Sequence, residues 1–354
     1  MKIPEPKKLA SGSWRVQIQV NGKRYSITDK NKKAVKDRAK LIFAGIELDE
    51  PTNMTVKEAF EAYISLKEPA LSPSTVLSYR RYVKSYYQLI MPIKLDELTG
   101  EDIQLAINAD IEREIAAKTI INMHGLLHSV CKQYRPRFEW KVNFPQKSIF
   151  EPTIPEDDEM TAIWKACHGS KYELPILLGC WLGLRMSEIR GLKFSDIQNG
   201  KIHVARAIVY GPAKNDPNRK VESKVKLTKT ASGDRWIQLP KLIQELIDKQ
   251  SRTSEFICPY SYNAIYKNFK DACKKAGVPE TRFHDLRHFE ASDAHALGIP
   301  DEYQIKRLGH RTDHMLKTVY RHALKKKTDE FADKIDAHME TLFRSDAHEN
   351  AHEA

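Results

Sequence analysis

The stretch from 135 to 157, RPRFEWKVNFPQKSIFEPTIPED, is rich in proline, basic at its start and free of any repeating apolar pattern. A segment of that kind does not thread a core, so the 354-residue chain is expected to fold as separate lobes on either side of it. A second break at Glu50-Pro51-Thr52-Asn53 sets off a small N-terminal piece. The expected division is 1–50, 54–147 and 152–343, followed by a polar, flexible tail over 344–354. Hydrophobic residues make up 41% of the chain, enough to give each lobe a core.

In the first lobe Trp14, Val16, Ile18 and Val20 alternate with Arg15, Gln17 and Gln19, and Asn21-Gly22 turns the chain into Lys23–Thr28. This pattern predicts a β-hairpin. Val35, Ala39, Ile42 and Ile46 then recur at helical spacing among basic residues. The chain carries 58 Lys+Arg against 47 Asp+Glu, a net charge of +11, which favours a polyanionic partner, nucleic acid first. A basic strand pair can lie in a DNA groove, so Arg15, Gln17 and Arg24 are candidate DNA contacts.

The second lobe reads as helices alone, over 56–65, 73–90, 101–115 and 118–134. Ser72-Pro73 has the form of an N-cap followed by proline, and Thr99 with Asp102 that of a capping box. The second of these helices sets Arg80, Arg81 and Lys84 among Tyr79, Tyr82, Tyr86 and Tyr87, a mixture suited to phosphates and stacking.

In the third lobe, helices are expected over 157–166 and 175–184, strands over 201–210, 222–228 and 235–239, and helices over 240–250, 262–276, 284–297 and 300–308. Arg185 stands in an apolar setting where burial demands an anion or a carboxylate, and Glu188 is the candidate carboxylate. Lys229 is expected at the tip of a hairpin joining the last two strands. His284 and Arg287 share a helix face, and Leu308-Gly309-His310 reads as a helix stop ten residues before Tyr320. A final helix over 328–343 carries an apolar stripe of Phe331, Ile335, Met339 and Leu342.

Five widely spaced cysteines, Cys131, Cys167, Cys180, Cys258 and Cys273, argue against a disulfide framework or a zinc site. No P-loop or cluster of metal ligands is visible, so neither metal nor cofactor is expected. The N-terminus has no apolar leader and no apolar run approaches the roughly 18 residues of a membrane span, which points to the cytoplasm rather than a membrane.

Taken in order, these blocks resemble the tyrosine recombinases, the phage integrase family. The resemblance lies in GLRMSEIRGL (183–192), LTKTASGDRWIQLP (227–240), HDLRH (284–288) and LGHRTDHMLKTVYRH (308–322), and spans 155–325. Residues 55–134 look like the family's helical core-binding domain, and the N-terminal hairpin and helix like the arm-binding module of integrases from prophages and conjugative elements. The implied fold is multidomain α+β: a small sheet with one helix, an all-α domain, and a mainly α catalytic domain with a small antiparallel sheet.

The resemblance implies that Tyr320 attacks the scissile phosphate and becomes linked to the 3′ phosphate, while Arg185, Arg287, His284 and His310 stabilise the phosphoryl oxygens and Lys229 is the general acid. Glu188 orients the pocket and His288 supports it. The phosphotyrosyl bond conserves the energy of the broken ester, so no nucleotide is implied. Implied partners are double-stranded DNA at core and arm sites, a homotetramer built through the 328–343 helix, a host DNA-bending factor and an excisionase. A resolvase or invertase of the same family, or a DNA-binding regulator that kept the fold, are the alternatives; the N-terminal module argues against the first and the full set of catalytic residue types against the second. Glu290 departs from the family pattern, which commonly has an apolar or aromatic residue there. The long step from His310 to Tyr320 makes Tyr303 and Tyr210 rivals for the nucleophile, though neither follows the Leu-Gly-His block.

Overall fold

The computed structural model describes residues 3–20, 22–44, 52–147, 152–213, 221–227, 233–309 and positions 333, 335–337 and 339. Lys229, His310, Tyr320 and the tail 344–354 lie outside the described residues. The chain divides into two compact units, 1–148 and 149–354.

The first unit holds two hydrophobic cores. One belongs to strands β1 (Lys7–Lys8), β2 (Trp14–Val20) and β3 (Lys23–Asp29) with helix α1 (Lys32–Phe43). β2 and β3 pair antiparallel from Trp14↔Asp29 to Val20↔Lys23, and β1 adds a short third strand that the sequence pattern does not predict. Val16, Ile18 and Ile27 face Val35, Ala39 and Ile42, while Arg15, Gln17, Arg24 and Ser26 stay exposed. α1 ends at Phe43, short of the expected Ile46, which lies outside the described residues.

The second core is that of a bundle of α2 (Val56–Lys67), α3 (Pro73–Ser85), α4 (Gly100–Glu112) and α5 (Ala117–Tyr134). The Thr99–Asp102 capping box forms, and a second one joins Thr55 and Glu58. Ser72 departs from expectation: it makes no side-chain cap, and its hydroxyl meets that of Ser74 at 3.0 Å.

α3 stops five residues earlier than its periodicity predicts. Tyr86 is extended and Tyr87 turns left-handed (φ 55°), a conformation held by its N–H donating to buried Asp110 Oδ2 at 3.0 Å. The reversal drives Tyr87, Ile90 and Met91 into the core. Tyr82 and Tyr87 are thus core residues and not stacking platforms.

The expected linker is also corrected in its first half. Arg135 donates from Nη1 to the Leu95 and Leu98 carbonyls (2.9 and 2.7 Å) and lies over Phe138 at 3.9 Å, and Phe138 stacks on Trp140 at 4.7 Å. Asn143 N–H donates to Gln104 Oε1 at 2.7 Å. Residues 135–144 therefore fasten to the bundle through scattered rings, which leave no periodic trace.

The second unit packs α6 (Asp157–Cys167), α7 (Glu173–Cys180), α8 (Met186–Gly191), α9 (Lys241–Asp248), α10 (Tyr262–Ala276), α11 (Asp285–Ala296) and α12 (Asp301–Leu308) around one main core. Its strands are β4 (Ile197–Gln198), β5 (Lys201–Val204), β6 (Arg206–Pro212), β7 (Val221–Leu227) and β8 (Arg235–Gln238). The single expected strand over 201–210 is two: β5 pairs with β4 and β8, whereas β6 pairs with β7. β7 and β8 consequently sit in different sheets, so the connection carrying Lys229 does not close a hairpin as expected. Ile335 and Met339 are helical and exposed, while Phe331 and Leu342 lie outside the described residues. Among the described residues no helix is long and apolar enough to cross a membrane.

The Tyr87 hydroxyl is buried and has no hydrogen-bond partner among the described residues. Because an unsatisfied buried hydroxyl costs stability, Tyr87→Phe is expected to stabilise the bundle by about 1 kcal/mol in urea unfolding. A loss of stability would show that the hydroxyl is satisfied in solution.

Candidate active site

α7 ends at Cys180 because the chain must reverse before Arg185. Gly183 adopts φ +61°, and a Cβ there would stand 2.2 Å from Leu308 Cδ2 and 3.2 Å from Glu290 Oε2, so glycine is required both by conformation and by space. The reversal aims the Gly183 carbonyl at Arg287, whose Nη1 donates to it at 2.6 Å. Nη2 of Arg287 donates to the Leu308 carbonyl at 2.5 Å, at the end of α12, where Gly309 (φ +68°) stops the helix as expected. Two of the five guanidinium N–H groups thereby fix Arg287, which is 2% exposed. Burial, then the nearby charge of Arg185, lower its pKa to about 9, which leaves it cationic at neutral pH.

Arg185 precedes α8 as its N-cap residue, and its N–H and Nη1 donate to the two carboxylate oxygens of Glu188 at 3.0 and 2.7 Å. Glu188 is buried, as the sequence requires of a partner for Arg185. Burial pushes its carboxyl up, but the charge and hydrogen bonds of Arg235, joined by Arg185, outweigh that and hold it at about 2. Glu188 is therefore an anion at neutral pH, while the Arg185 side chain keeps 37% of its surface exposed to meet a ligand.

Arg235 was not among the residues expected here. It opens β8, where alternation places it on the same face as buried Ile237 and opposite exposed Trp236. Its Nη2 donates to Glu188 Oε2 at 3.0 Å and its Nε to the Arg307 carbonyl at 2.7 Å. The signal was present: an arginine at an inward strand position needs a buried acceptor. Arg307 was missed as well. Its Nε donates to Glu290 Oε1 at 2.8 Å and its Nη2 to the Trp181 carbonyl at 2.9 Å. The residue that departs from the family pattern is thus the buried partner of Arg307, and burial raises its carboxyl pKa.

His284 immediately precedes α11 without a side-chain cap, and its ring meets that of His288 edge-on at 5.1 Å. Although part of His284 reaches solvent, desolvation, then His288, Arg287 and Arg185, hold its pKa well below the usual histidine value. Near neutral pH it is an uncharged imidazole. Desolvation likewise lowers His288, against the pull of Asp285.

The structure thus brings Arg185, Glu188, Arg287 and His284 together and adds Arg235. Tyr210 lies elsewhere, under the Arg190 guanidinium at 5.4 Å, and Tyr303 lines a groove with Trp181 and Leu297. Arg15, Gln17, Arg24, Arg80, Arg81 and Lys84 are all exposed in the first unit. Arg80 spends one donor on Glu68 at 2.7 Å, and Arg81 lies over Tyr82 at 5.8 Å.

Planar guanidinium forks held by carboxylate and carbonyl oxygens, beside a neutral histidine, suit an anion that gains charge as it reacts. The helical bundle, the mainly α unit and its small antiparallel sheet give the architecture of the tyrosine recombinases. Residues 156–327 match the phage integrase family. The chain is 24% identical over 306 residues to a tyrosine recombinase XerC-like protein of Caldanaerobacter subterraneus subsp. tengcongensis, covering 75% of this chain and 78% of that one. It is 32% identical over 192 residues to a putative prophage phiRv2 integrase of Mycobacterium tuberculosis, covering 49% of this chain and spanning about half, 48%, of that protein. Among solved structures, the Tn1549 transposon integrase in complex with transposon right end DNA aligns with a TM-score of 0.62 at 16% identity, over 79% of this chain and all of that one. A lambda integrase dimer bound to a core site aligns with a TM-score of 0.55 at 17% identity, over 90% of this chain and 94% of that one. Residues 156–327 thus form a phage integrase domain, and the chain is similar to tyrosine recombinases and integrases over most of its length.

Glu188→Gln removes the buried anion and leaves Arg185 and Arg235 without their carboxylate, so the second unit is expected to lose about 3–5 kcal/mol in urea unfolding. The carboxyl's pKa is lower folded than unfolded, so its contribution is complete above the unfolded value of about 4.3. In the parent chain it fades as pH falls from there towards about 2, an acid-side loss that Glu188→Gln lacks.

Proposed function

We propose that the chain is an integrase that inserts and excises a mobile element, with Tyr320 as nucleophile. Tyr320 Oη bonds to the scissile phosphorus as the bond to the 5′ oxygen breaks, giving a 3′-phosphotyrosyl link and a free 5′ hydroxyl. Lys229 gives its proton to the departing 5′ oxygen, and the exposed His284 relays the tyrosine proton to solvent without keeping it. Tyrosine ionises only near pH 10 in water, so a pocket of fixed cations is what makes it a nucleophile near neutrality. Arg185 and Arg287 hold the non-bridging oxygens, His310 adds a donor, Glu188 orients Arg185, and His288 braces His284.

The observation that carries this reading is the Glu188 clamp, which presents Arg185 half exposed while Arg287 is immobilised beside it. Arg80, Arg81 and Lys84 would meet phosphates of the core site, and Arg15, Gln17 and Arg24 those of a separate arm site. Support for exchange between subunits comes from the exposed Ile335 and Met339 and from a groove of 460 Å³ lined by Trp181, Phe289, Leu297 and Tyr303. A lambda integrase tetramer bound to a Holliday junction shares the fold at a TM-score of 0.56 and 18% identity. A tetramer on DNA, a host bending factor and an excisionase in a bacterial cytoplasm complete the proposal.

On a nicked duplex carrying the attachment sequence from the DNA flanking the gene, the protein should form a covalent adduct on a denaturing gel. Tyr320→Phe should abolish it while leaving binding intact; an adduct that persists would dismiss Tyr320. Removing residues 1–50 should eliminate arm-site binding and spare core-site binding in gel-shift titrations, and equal loss at both would refute the arm assignment.

A further inference from the structure

β8 is four residues long and, among the described residues, lies at the edge of its sheet, paired with β5. Short edge strands fray at their ends, and the N-terminal end of β8 is where the connection bearing Lys229 joins the sheet. Both faces of this end are fastened. On the inner face Arg235 is bound to Glu188, to the Arg307 carbonyl and, at 3.3 Å, to the Gly233 carbonyl. On the outer face His203 of β5 stands opposite Trp236 of β8, and their rings stack at 4.5 Å with planes 5° from parallel. Nε2 of His203 meets Oδ1 of Asp234, the residue just before β8, at 2.5 Å.

These outer groups have no part in the core. The side chains of His203 and Asp234 are 25% and 55% exposed, and Trp236 is 46% exposed. Cross-strand stacking and a charge-assisted hydrogen bond at an edge are the interactions that hold a strand end in register. Asp234 follows Lys229 by five residues, so the place where the chain leaves the sheet limits where that lysine can reach.

We propose that His203, Asp234 and Trp236 form a positioning clasp for the general acid, setting the start of β8 so that Lys229 meets the 5′ oxygen. They act on the lysine through the geometry of the connection. The inference rests on the reading of Lys229 as general acid.

A general acid is dispensable when the leaving atom is sulfur, because a thiolate departs without a proton. The test compares two nicked duplexes of the flanking attachment sequence, one with oxygen and one with sulfur at the 5′-bridging position. His203→Phe keeps a ring on Trp236 but loses the hydrogen bond, and Asp234→Ala removes its partner. Both variants should cleave the oxygen duplex about 10–100-fold more slowly, a part of the roughly 10²–10⁴-fold that general acid catalysis supplies. Both should cleave the sulfur duplex at the parent rate, with unchanged DNA affinity and melting temperature. Parent rates on oxygen, or an equal loss on both duplexes, would overturn the clasp. Lys229→Ala separates the two readings: failure of sulfur to rescue it refutes Lys229 as the acid, whereas rescue of Lys229→Ala without rescue of His203→Phe refutes the clasp alone.

Discussion

A carboxylate sealed between two guanidinium groups carries the arrangement of the second unit. Glu188 would be costly to bury as a lone charge, and Arg235 and Arg185 offset that cost by sharing it. Because the three residues come from β8, from α8 and from the turn before it, satisfying one charge brings separate parts of the chain together. Arg235 extends the chain of constraint to α12 by taking the Arg307 carbonyl.

Arg287 is fixed by other means. It is bound to two backbone carbonyls, which give it position without neutralising it. That distinction suits the chemistry: a guanidinium paired with a carboxylate has part of its field cancelled, whereas one held by carbonyls keeps its full charge for a phosphate. Glu290 could have spoiled this by facing Arg287, but Arg307 holds one of its oxygens. The neutral state of His284 comes first from desolvation, and the positive charges of Arg287 and Arg185 reinforce it.

Where the sequence misled, the cause was tertiary. Helical spacing continued past Ser85, yet Asp110 captures the Tyr87 amide and the chain turns. Proline and missing periodicity marked 135–157 as a linker, yet Phe138, Trp140 and Arg135 dock on the bundle. The strand expected over 201–210 breaks because its two halves take different partners, and the Lys229 connection then links two sheets. Pairing between strands is a long-range choice that local patterns do not encode.

The sequence by itself determined a β-hairpin followed by a helix, a run of capped helices and a mainly α stretch with short strands, because hydrophobic period and caps are local properties. It also determined that Arg185 needs Glu188, because an arginine in apolar surroundings three residues from a glutamate at a helix start has its partner within reach. Only the tertiary structure decided that Arg235 shares that carboxylate, that Arg287 is locked to Gly183 and Leu308, and that Arg307 answers Glu290. Those contacts join residues far apart in the chain, and their reason is physical: a buried charge accepts whichever partner the packing brings within hydrogen-bonding distance.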